Sequence, residues 1–557
     1  MRARGRPGDR RGRDRRVDHG RRLGPLGEPD DRARPDARRG GSRHRSGPDR
    51  AVRLRPGGRT VAVGLVPGLR HPARRRPARD IGHQPRRAEP DESARRQGRR
   101  RGRHGRRAGR CHPRDPGCAR AGGGDAHRHA RHARAGVAGD PGRTVIASAD
   151  VVVVGSGAFG ASVAYHLARR GARVAVLERS GLASQTSPRA AGLSSQVRAT
   201  PALTRLAQRA VVKLAAFTDE TGQPLRFTQS GALKIARTER DAEQLSREVA
   251  RGDAAGVEID FVSVAEARRR LPILGERGIL AVTWSPTDCN VEPSELPIGY
   301  CRAAEKLGAV LLPHTPATGF DIGRRSVEGV RTPRGTIGTR AVVDAAGAWA
   351  RLVAGGLGAA LPVVPTRHQL LITEPIPGVG PEFPIARVID ANVYVRHERG
   401  GLMLGGYEPD PVQLDAATLP PSFDVAELPL DIEVLWRLAR SVSEQFPIFQ
   451  DPTIRVAEHR GGLPTLTMDD RYLAGPLLGV AGAWVMSGCC VGGLSVSPAL
   501  GEAMAEWILD GAPALDLSEI STARFAGYLP DEIELRERCR RAYATHYRTG
   551  GDVSTAS

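Results

Sequence analysis

Asp150-Val151-Val152-Val153-Val154-Gly155-Ser156-Gly157-Ala158-Phe159-Gly160 is the stretch from which the rest of the chain can be read. Four successive valines make a short β-branched run without polar alternation, which predicts a strand buried on both faces of a parallel sheet. Three glycines follow at the spacing G-x-G-x-x-G, and each answers a separate steric demand. Gly155 permits the tight turn out of the strand, Gly157 lets the backbone approach a pyrophosphate, and Gly160 lets the next helix pack closely on the strand. Ser156, Ala158 and Phe159 fill the loop, and the N–H groups and dipole of the helix start favour phosphate. Alone, such a loop is weak evidence and is often only a flexible turn. Here Ala158 to Arg170 reads as a helix closed by Gly171, and Ala172 to Leu177 reads as a second strand. Glu178 ends that strand 18 residues after Gly160, where a carboxylate can accept hydrogen bonds from ribose hydroxyls; the alternative is a solvated strand end. Arg179 beside it is placed at the same site. Strand, glycines, helix and carboxylate in register predict a dinucleotide-binding unit.

What precedes this unit is unlike it. Residues 1–144 hold 42 Arg, no Lys, 15 acidic residues and no aromatic residue, whereas the remainder carries a net charge of −4. The whole formal charge of +23 therefore belongs to the N-terminal segment. A stretch so charged and so poor in large apolar side chains cannot bury enough surface to offset its ordering entropy, so 1–146 is expected to be disordered or spurious. A basic arm would bind nucleic acid through phosphate charge. An Arg-rich transit peptide would be Ser-rich and acid-poor, and this segment contains many Asp. Its residues are instead those of GC-rich codons read out of frame, and the favoured expectation is a start near Val145, with nucleic-acid binding discounted. No run of 18 apolar residues predicts a membrane span. The seven Cys show neither a C-x-x-C pair nor metal spacing, so no metal is expected and a reduced, cytoplasmic protein is the simplest reading.

Beyond residue 150 strands and helices alternate, the pattern of an α/β layered fold. Helices are expected at 204–218, 241–254, 264–270, 293–307, 431–446 and 498–509, and strands at 309–312, 340–344, 369–373, 392–397, 402–405 and 483–486. Residues 530–557 are polar and read as peripheral.

Six further segments carry a resemblance. They are Ala183-Ser184-Gln185-Thr186-Ser187-Pro188-Arg189-Ala190-Ala191-Gly192-Leu193 with Gln196-Val197-Arg198-Ala199-Thr200; Val342-Val343-Asp344-Ala345-Ala346-Gly347-Ala348-Trp349; His368-Gln369-Leu370-Leu371-Ile372-Thr373-Glu374-Pro375; Gly401-Leu402-Met403-Leu404-Gly405-Gly406-Tyr407-Glu408; Gly461-Gly462-Leu463-Pro464-Thr465-Leu466-Thr467 to Asp470; and Gly488-Cys489-Cys490-Val491-Gly492-Gly493-Leu494-Ser495. In this order they resemble the FAD-dependent D-amino-acid-oxidase-type superfamily, in its sarcosine and dimethylglycine oxidase or dehydrogenase branch. The resemblance spans about 150–530 and implies FAD as cofactor. It places Ser187, Gly192 and Leu193 under the flavin ring, Gly347 on a second FAD-contacting strand, and Gly488, Gly492, Gly493, Leu494 and Ser495 at a helix start aimed at the flavin. Ala317 is counted among the FAD contacts as well. The implied architecture is a discontinuous Rossmann-like FAD domain (147–230, 290–360 and 455–515) with a second, mixed or antiparallel substrate domain (231–289 and 361–454) and a C-terminal tail (516–557).

The resemblance also implies oxidation of a C–N bond in a secondary or tertiary amine such as sarcosine or dimethylglycine, with hydride passing to flavin N5 and the iminium hydrolysed. Alternatives are oxidative deamination of glycine or a D-amino acid, and a flavin-bearing subunit inactive alone. The acceptor would be O2 or an electron-transfer protein. A carboxylate substrate wants an Arg fork with a phenol or imidazole, and the candidates are His368, Tyr407, Arg396 and Arg460, with Arg198 as a further one. His368 is expected near its ordinary pKa, able to accept the amine's proton. A surface position is the ordinary fate of each Arg, and packing that of Tyr407. Some relatives attach FAD through a His where this chain has Arg189, or a Cys where it has Gly462, so FAD is expected to be non-covalent. An oxygen-activating Lys of sarcosine oxidases falls at Met403, which leans toward a dehydrogenase. The chain ends too soon for the folate domain of some relatives.

Overall fold

The structure is a computed structural model and describes residues 146–549; the expectations for 1–145, including a start at Val145, lie outside them. The strand Val151–Val154 sits inside a six-stranded sheet. It pairs in parallel with Val174–Leu177 on one side and Val342–Asp344 on the other. Val310–Leu312 and Ala483–Ser487 extend the parallel set outward, and Leu473–Pro476 closes one edge antiparallel. All four valines are buried because both faces are covered. One face carries the helices Ala158–Arg169, Glu295–Lys306 and Gly493–Asp510. The other carries a three-stranded meander (Gly319–Gly323, Ser326–Thr332, Gly335–Gly338) whose Phe320, Val327, Val330 and Ile337 face the core.

The second layer is an eight-stranded sheet in the order Val456–Gly462, His368–Thr373, Gly401–Gly406, Val393–Glu398, Ile385–Val388, Ala232–Ala236, Ala281–Ser285, Asp260–Val262. It is antiparallel except for the parallel pair between Ile385–Val388 and Ala232–Ala236. Helix Ile432–Ser441 packs its Val434, Leu435, Leu438 and Ala439 on this sheet. Val456–Gly462, read as the opening of the last FAD segment, belongs to this sheet through its pairing with His368–Thr373.

Two further differences matter for the site. The helix expected from Pro498 begins at Gly493, with Pro498 inside its first turns. Pro498 is the sixth helical residue, where its missing N–H leaves Leu494 O without the usual partner; Ser497 Oγ donates to that oxygen at 3.2 Å, so the proline is accommodated inside the helix and made a false start signal. The C-terminal stretch is not peripheral. Asp531 caps the helix Glu532–Ala544 by accepting from Glu534 N at 2.8 Å. Leu535, Cys539 and Tyr543, four residues apart, form one buried stripe. Burial of such side chains stabilises by about 1.5–3 kcal/mol each, enough to dock a helix whose other faces are charged. Among the described residues no helix is long and apolar enough to cross a membrane.

Candidate active site

A cleft runs from the glycine loop at the end of the first strand to the face of the eight-stranded sheet. At the loop, steric demand is visible atom by atom. Gly155 has φ +102°, and a Cβ there would lie 2.4 Å from Ala345 O. A Cβ on Gly160 would lie 1.9 Å from Gly155 O, so helix and strand could not approach as they do. Gly157 precedes the helix, and Ala158 N donates to Ser187 Oγ at 3.0 Å. Glu178 is buried; Oε2 accepts from Ser156 N at 3.0 Å and from Ser156 Oγ at 2.8 Å, while Oε1 accepts from Ser180 N at 2.9 Å. The carboxylate thus ties the second strand to the loop, unlike a solvated strand end.

Gly157, Ala158, Phe159, Ser187, Gly192, Leu193, Gly347, Gly492, Gly493, Leu494 and Ser495 line the cleft. Gly155, Ser156, Gly160 and Glu178 stand behind that lining and shape it. Gly488, with φ +54°, does the same; a Cβ there would lie 2.6 Å from Thr467 Cγ2. Arg179 is a correction: its guanidinium lies 4.1 Å over the Trp349 ring and donates to Phe423 O, because those groups offer a face and an acceptor. Ala317 is a second correction, packed against the meander-side core.

The start of Gly493–Asp510 opens on the same cleft as the start of Ala158–Arg169. Before it, Cys490 and Val491 both hold left-handed φ, +41° and +61°, a conformation that non-glycine residues adopt at a cost. Two helix N-termini, a cradle that any Cβ would fill, and a seryl hydroxyl fit the pyrophosphate and ring of FAD. Neither Arg189 nor Gly462 offers a nucleophile to a flavin. Arg189 donates to Ser184 O and Gln185 O, and a Cβ on Gly462 would lie 2.9 Å from Thr186 Cγ2.

The opposite end of the cleft is aromatic. His368, first residue of its strand, is enclosed: Nδ1 is 2.8 Å from Tyr543 Oη and Nε2 is 3.1 Å from Tyr394 Oη. A neutral imidazole has one donor and one acceptor, so one phenol donates and the other accepts. Burial, with the neighbouring His546, pushes the His368 pKa down to about 3. The expectation of an ordinary pKa is thereby corrected; His368 is a neutral ring with both nitrogens occupied. Tyr407 is buried, stacks on His546 with centroids 4.4 Å apart, and meets Tyr543 and Tyr547 edge-on. Burial holds its phenol well above the usual range.

Arg396 and Arg460 are corrections. Arg396 Nε donates to Ala191 O at 3.0 Å and Nη2 pairs with Glu398 at 2.6 Å. Arg460 pairs with Glu458 at 3.2 Å and reaches Ala190 O at 3.4 Å. Both grip the loop from behind, because a buried guanidinium needs acceptors that the backbone there provides. Arg198 does line the cleft, with Nη2 3.3 Å from Ser495 Oγ.

Four residues of the aromatic end were not among the catalytic candidates read from the sequence. Arg387, buried in Ile385–Val388, lines the cleft; its Nη1 has no hydrogen-bond partner and is 3.6 Å from Asp288 Oδ2. Its signal was one Arg between apolar residues of a short run, the same signal that favoured Arg396. Asp470, His546 and Tyr547 complete the wall, the last beside both Arg387 and Tyr407. His546 and Tyr547 follow the apolar stripe Leu535, Cys539, Tyr543, which was the available clue.

A phosphate-cradling βαβ unit joined to a buried cavity of aromatic and charged side chains defines a flavin-type oxidoreductase scaffold. The family model described as FAD dependent oxidoreductase (DAO) matches residues 150–507, and the chain belongs to that family. It is 31% identical over 419 residues to mitochondrial sarcosine dehydrogenase of Homo sapiens, covering 74% of this chain and 45% of that protein. It is 29% identical over 386 residues to mitochondrial dimethylglycine dehydrogenase of Mus musculus, covering 68% and 44% respectively. The chain thus spans about half the length of these relatives. Among solved structures, L-proline dehydrogenase from P. horikoshii superposes with a TM-score of 0.63 at 26% identity, covering 69% of this chain and all of that one.

Proposed function

We propose that the protein oxidises a C–N bond of an N-methyl amino acid, with sarcosine and dimethylglycine as the leading substrates. The observation that carries this reading is Arg387, a buried guanidinium with an unpartnered Nη1 on the wall of the same cleft as the flavin cradle. Its ion pair with Asp288 is long, 3.6 Å, and leaves Nη1 without a hydrogen bond, which a substrate carboxylate would supply with charge assistance. Asp470 on the same wall supplies the opposite charge, so the cavity suits a zwitterion whose amine and carboxylate are both held. The aromatic wall excludes water and accommodates N-methyl groups. Similarity to the sarcosine and dimethylglycine dehydrogenases supports this substrate class.

FAD, when bound, supplies the hydride acceptor. The protein's own contribution is to fix the carboxylate at Arg387 and orient the C–H bond. The iminium then hydrolyses to an aldehyde and the dealkylated amine. Arg189 and Gly462 offer no attachment point, so FAD is held non-covalently. Met403, buried in the core of its strand, gives no cation for oxygen activation, which favours an acceptor other than O2.

The test is product stoichiometry. Holoenzyme turning over dimethylglycine with an artificial acceptor should release one formaldehyde per sarcosine formed. Turnover of glycine or D-alanine with ammonia release, and none of N-methyl substrates, would contradict the reading.

A further inference from the structure

The aromatic end holds a His–Asp pair whose histidine the chemistry above leaves unused. Asp470 stands in the turn after Thr465–Leu466, and His546 opens the short helix His546–Thr549. His546 Nδ1 lies 2.9 Å from Asp470 Oδ2. Asp470 Oδ1 is buried without a partner, and both residues line the cleft. The turn carrying His546 is clamped from outside: Asn392 Nδ2 donates to Ala544 O at 2.7 Å, and Tyr547 N donates to Asn392 Oδ1 at 3.1 Å. Stacking on Tyr407 fixes the ring plane. Donation from Nδ1 to the carboxylate makes Nε2 the lone-pair nitrogen, and Nε2 has no hydrogen-bond partner among the described residues.

An amino-acid ammonium ionises near the lysine range, about 10, and a protonated amine has no lone pair to form the C=N bond as hydride leaves. A proton acceptor in the cavity is therefore required at neutral pH. The groups facing His546 are Asp470, Tyr407, Tyr547 and, from the large sheet, His368. His368 has both nitrogens occupied by phenols. Burial holds Tyr407 and Tyr547 protonated.

Resting on the substrate class proposed above, we propose that His546, oriented by Asp470, accepts the proton of the substrate ammonium. The N–H bond breaks, its electron pair stays on nitrogen, and the proton bonds to His546 Nε2. Positive charge passes from ammonium to imidazolium, which Asp470 neutralises. No electron is transferred in this step, and the pair works like the His–Asp arm of a hydrolase triad, tautomer fixed by the carboxylate.

Anaerobic flavin reduction by dimethylglycine, followed from pH 5 to 10, tests this. Wild type should rise through one ionisation in the complex and reach a plateau. H546N should fall about 100-fold at pH 7 and climb tenfold per pH unit without that plateau, because the substrate must then shed its own proton. D470N should lose less and keep a plateau. Retained flavin spectrum and melting temperature establish that the variants fold. Independently, ¹⁵N-histidine NMR of wild-type enzyme, reduced beforehand so that substrate binds without turnover, should show one imidazole becoming imidazolium on adding dimethylglycine. An H546N profile that superposes on wild type, or a histidine spectrum unchanged by substrate, overturns the proposal. If no N-methyl amino acid reduces wild-type flavin, the substrate reading itself fails and this inference falls with it.

Discussion

At the Gly155 end of the cleft the atoms presented to a ligand are mostly backbone, exposed because side chains are missing. At the Tyr407 end nearly every presented atom belongs to a side chain, and those side chains come from three separated stretches: 368–407, 465–472 and 546–547. The first end is specified by short-range sequence, the second only by the packing of a sheet and a terminal helix. A cradle of backbone can tolerate no added atom, whereas a wall of side chains can lose one and keep its shape. The two ends should therefore fail in different ways.

The sharpest break is expected at the cradle. Gly160→Val places atoms where Gly155 O already lies 1.9 Å from a Cβ, so the purified protein should contain no flavin by absorbance. At the other end, Arg387→Met removes about 1.5–3 kcal/mol of charge-assisted binding. It should raise the KM for dimethylglycine roughly 10- to 150-fold with a smaller change in kcat and full flavin content; an unchanged KM would place the carboxylate elsewhere.

Tyr543→Ala removes the ring that anchors the terminal helix and bonds His368. Large-to-small changes of this kind cost about 3–5 kcal/mol, to be read as a lower melting temperature, with the flavin spectrum persisting below it. If stability is unchanged, the helix is not part of the cavity wall.

A smaller effect separates the two ends by pH. Burial lowers His368 at one end and His166 beneath the other to about 3 from 6.5. Below 6.5 the unfolded chain binds these protons and the native protein does not, so stability falls as pH drops from 6.5 toward 3, by up to about 1.4 kcal/mol per pH unit for each group. His368→Gln should flatten the acid side of a plot of melting temperature against pH. Last, denaturation followed by filtration should leave all flavin in the filtrate, since neither Arg189 nor Gly462 can hold it.

The same contrast explains what could be read from sequence. The glycine loop and the first parallel strands were legible because their geometry depends on neighbours in sequence. The start of Gly493–Asp510 was misplaced because Pro498 looks like a boundary yet sits inside the helix, where Ser497 Oγ takes up the Leu494 carbonyl that the proline leaves free. Arg396 and Arg387 look alike in sequence, each one Arg in an apolar strand. Only the sheet decides that Arg396 turns to Ala191 O and Glu398 while Arg387 faces the cavity. His546 and Tyr547 were hidden in a segment whose charge masks its buried stripe Leu535, Cys539, Tyr543.

The cradle and the side-chain wall are proposed to oxidise an N-methyl amino acid together. Anaerobic titration of the FAD-loaded protein tests it most directly. Dimethylglycine or sarcosine should bleach the visible flavin band completely, and Arg387→Met should shift that titration to higher substrate concentration. A flavin band that stays oxidised with both, while glycine or a D-amino acid bleaches it, would contradict the account.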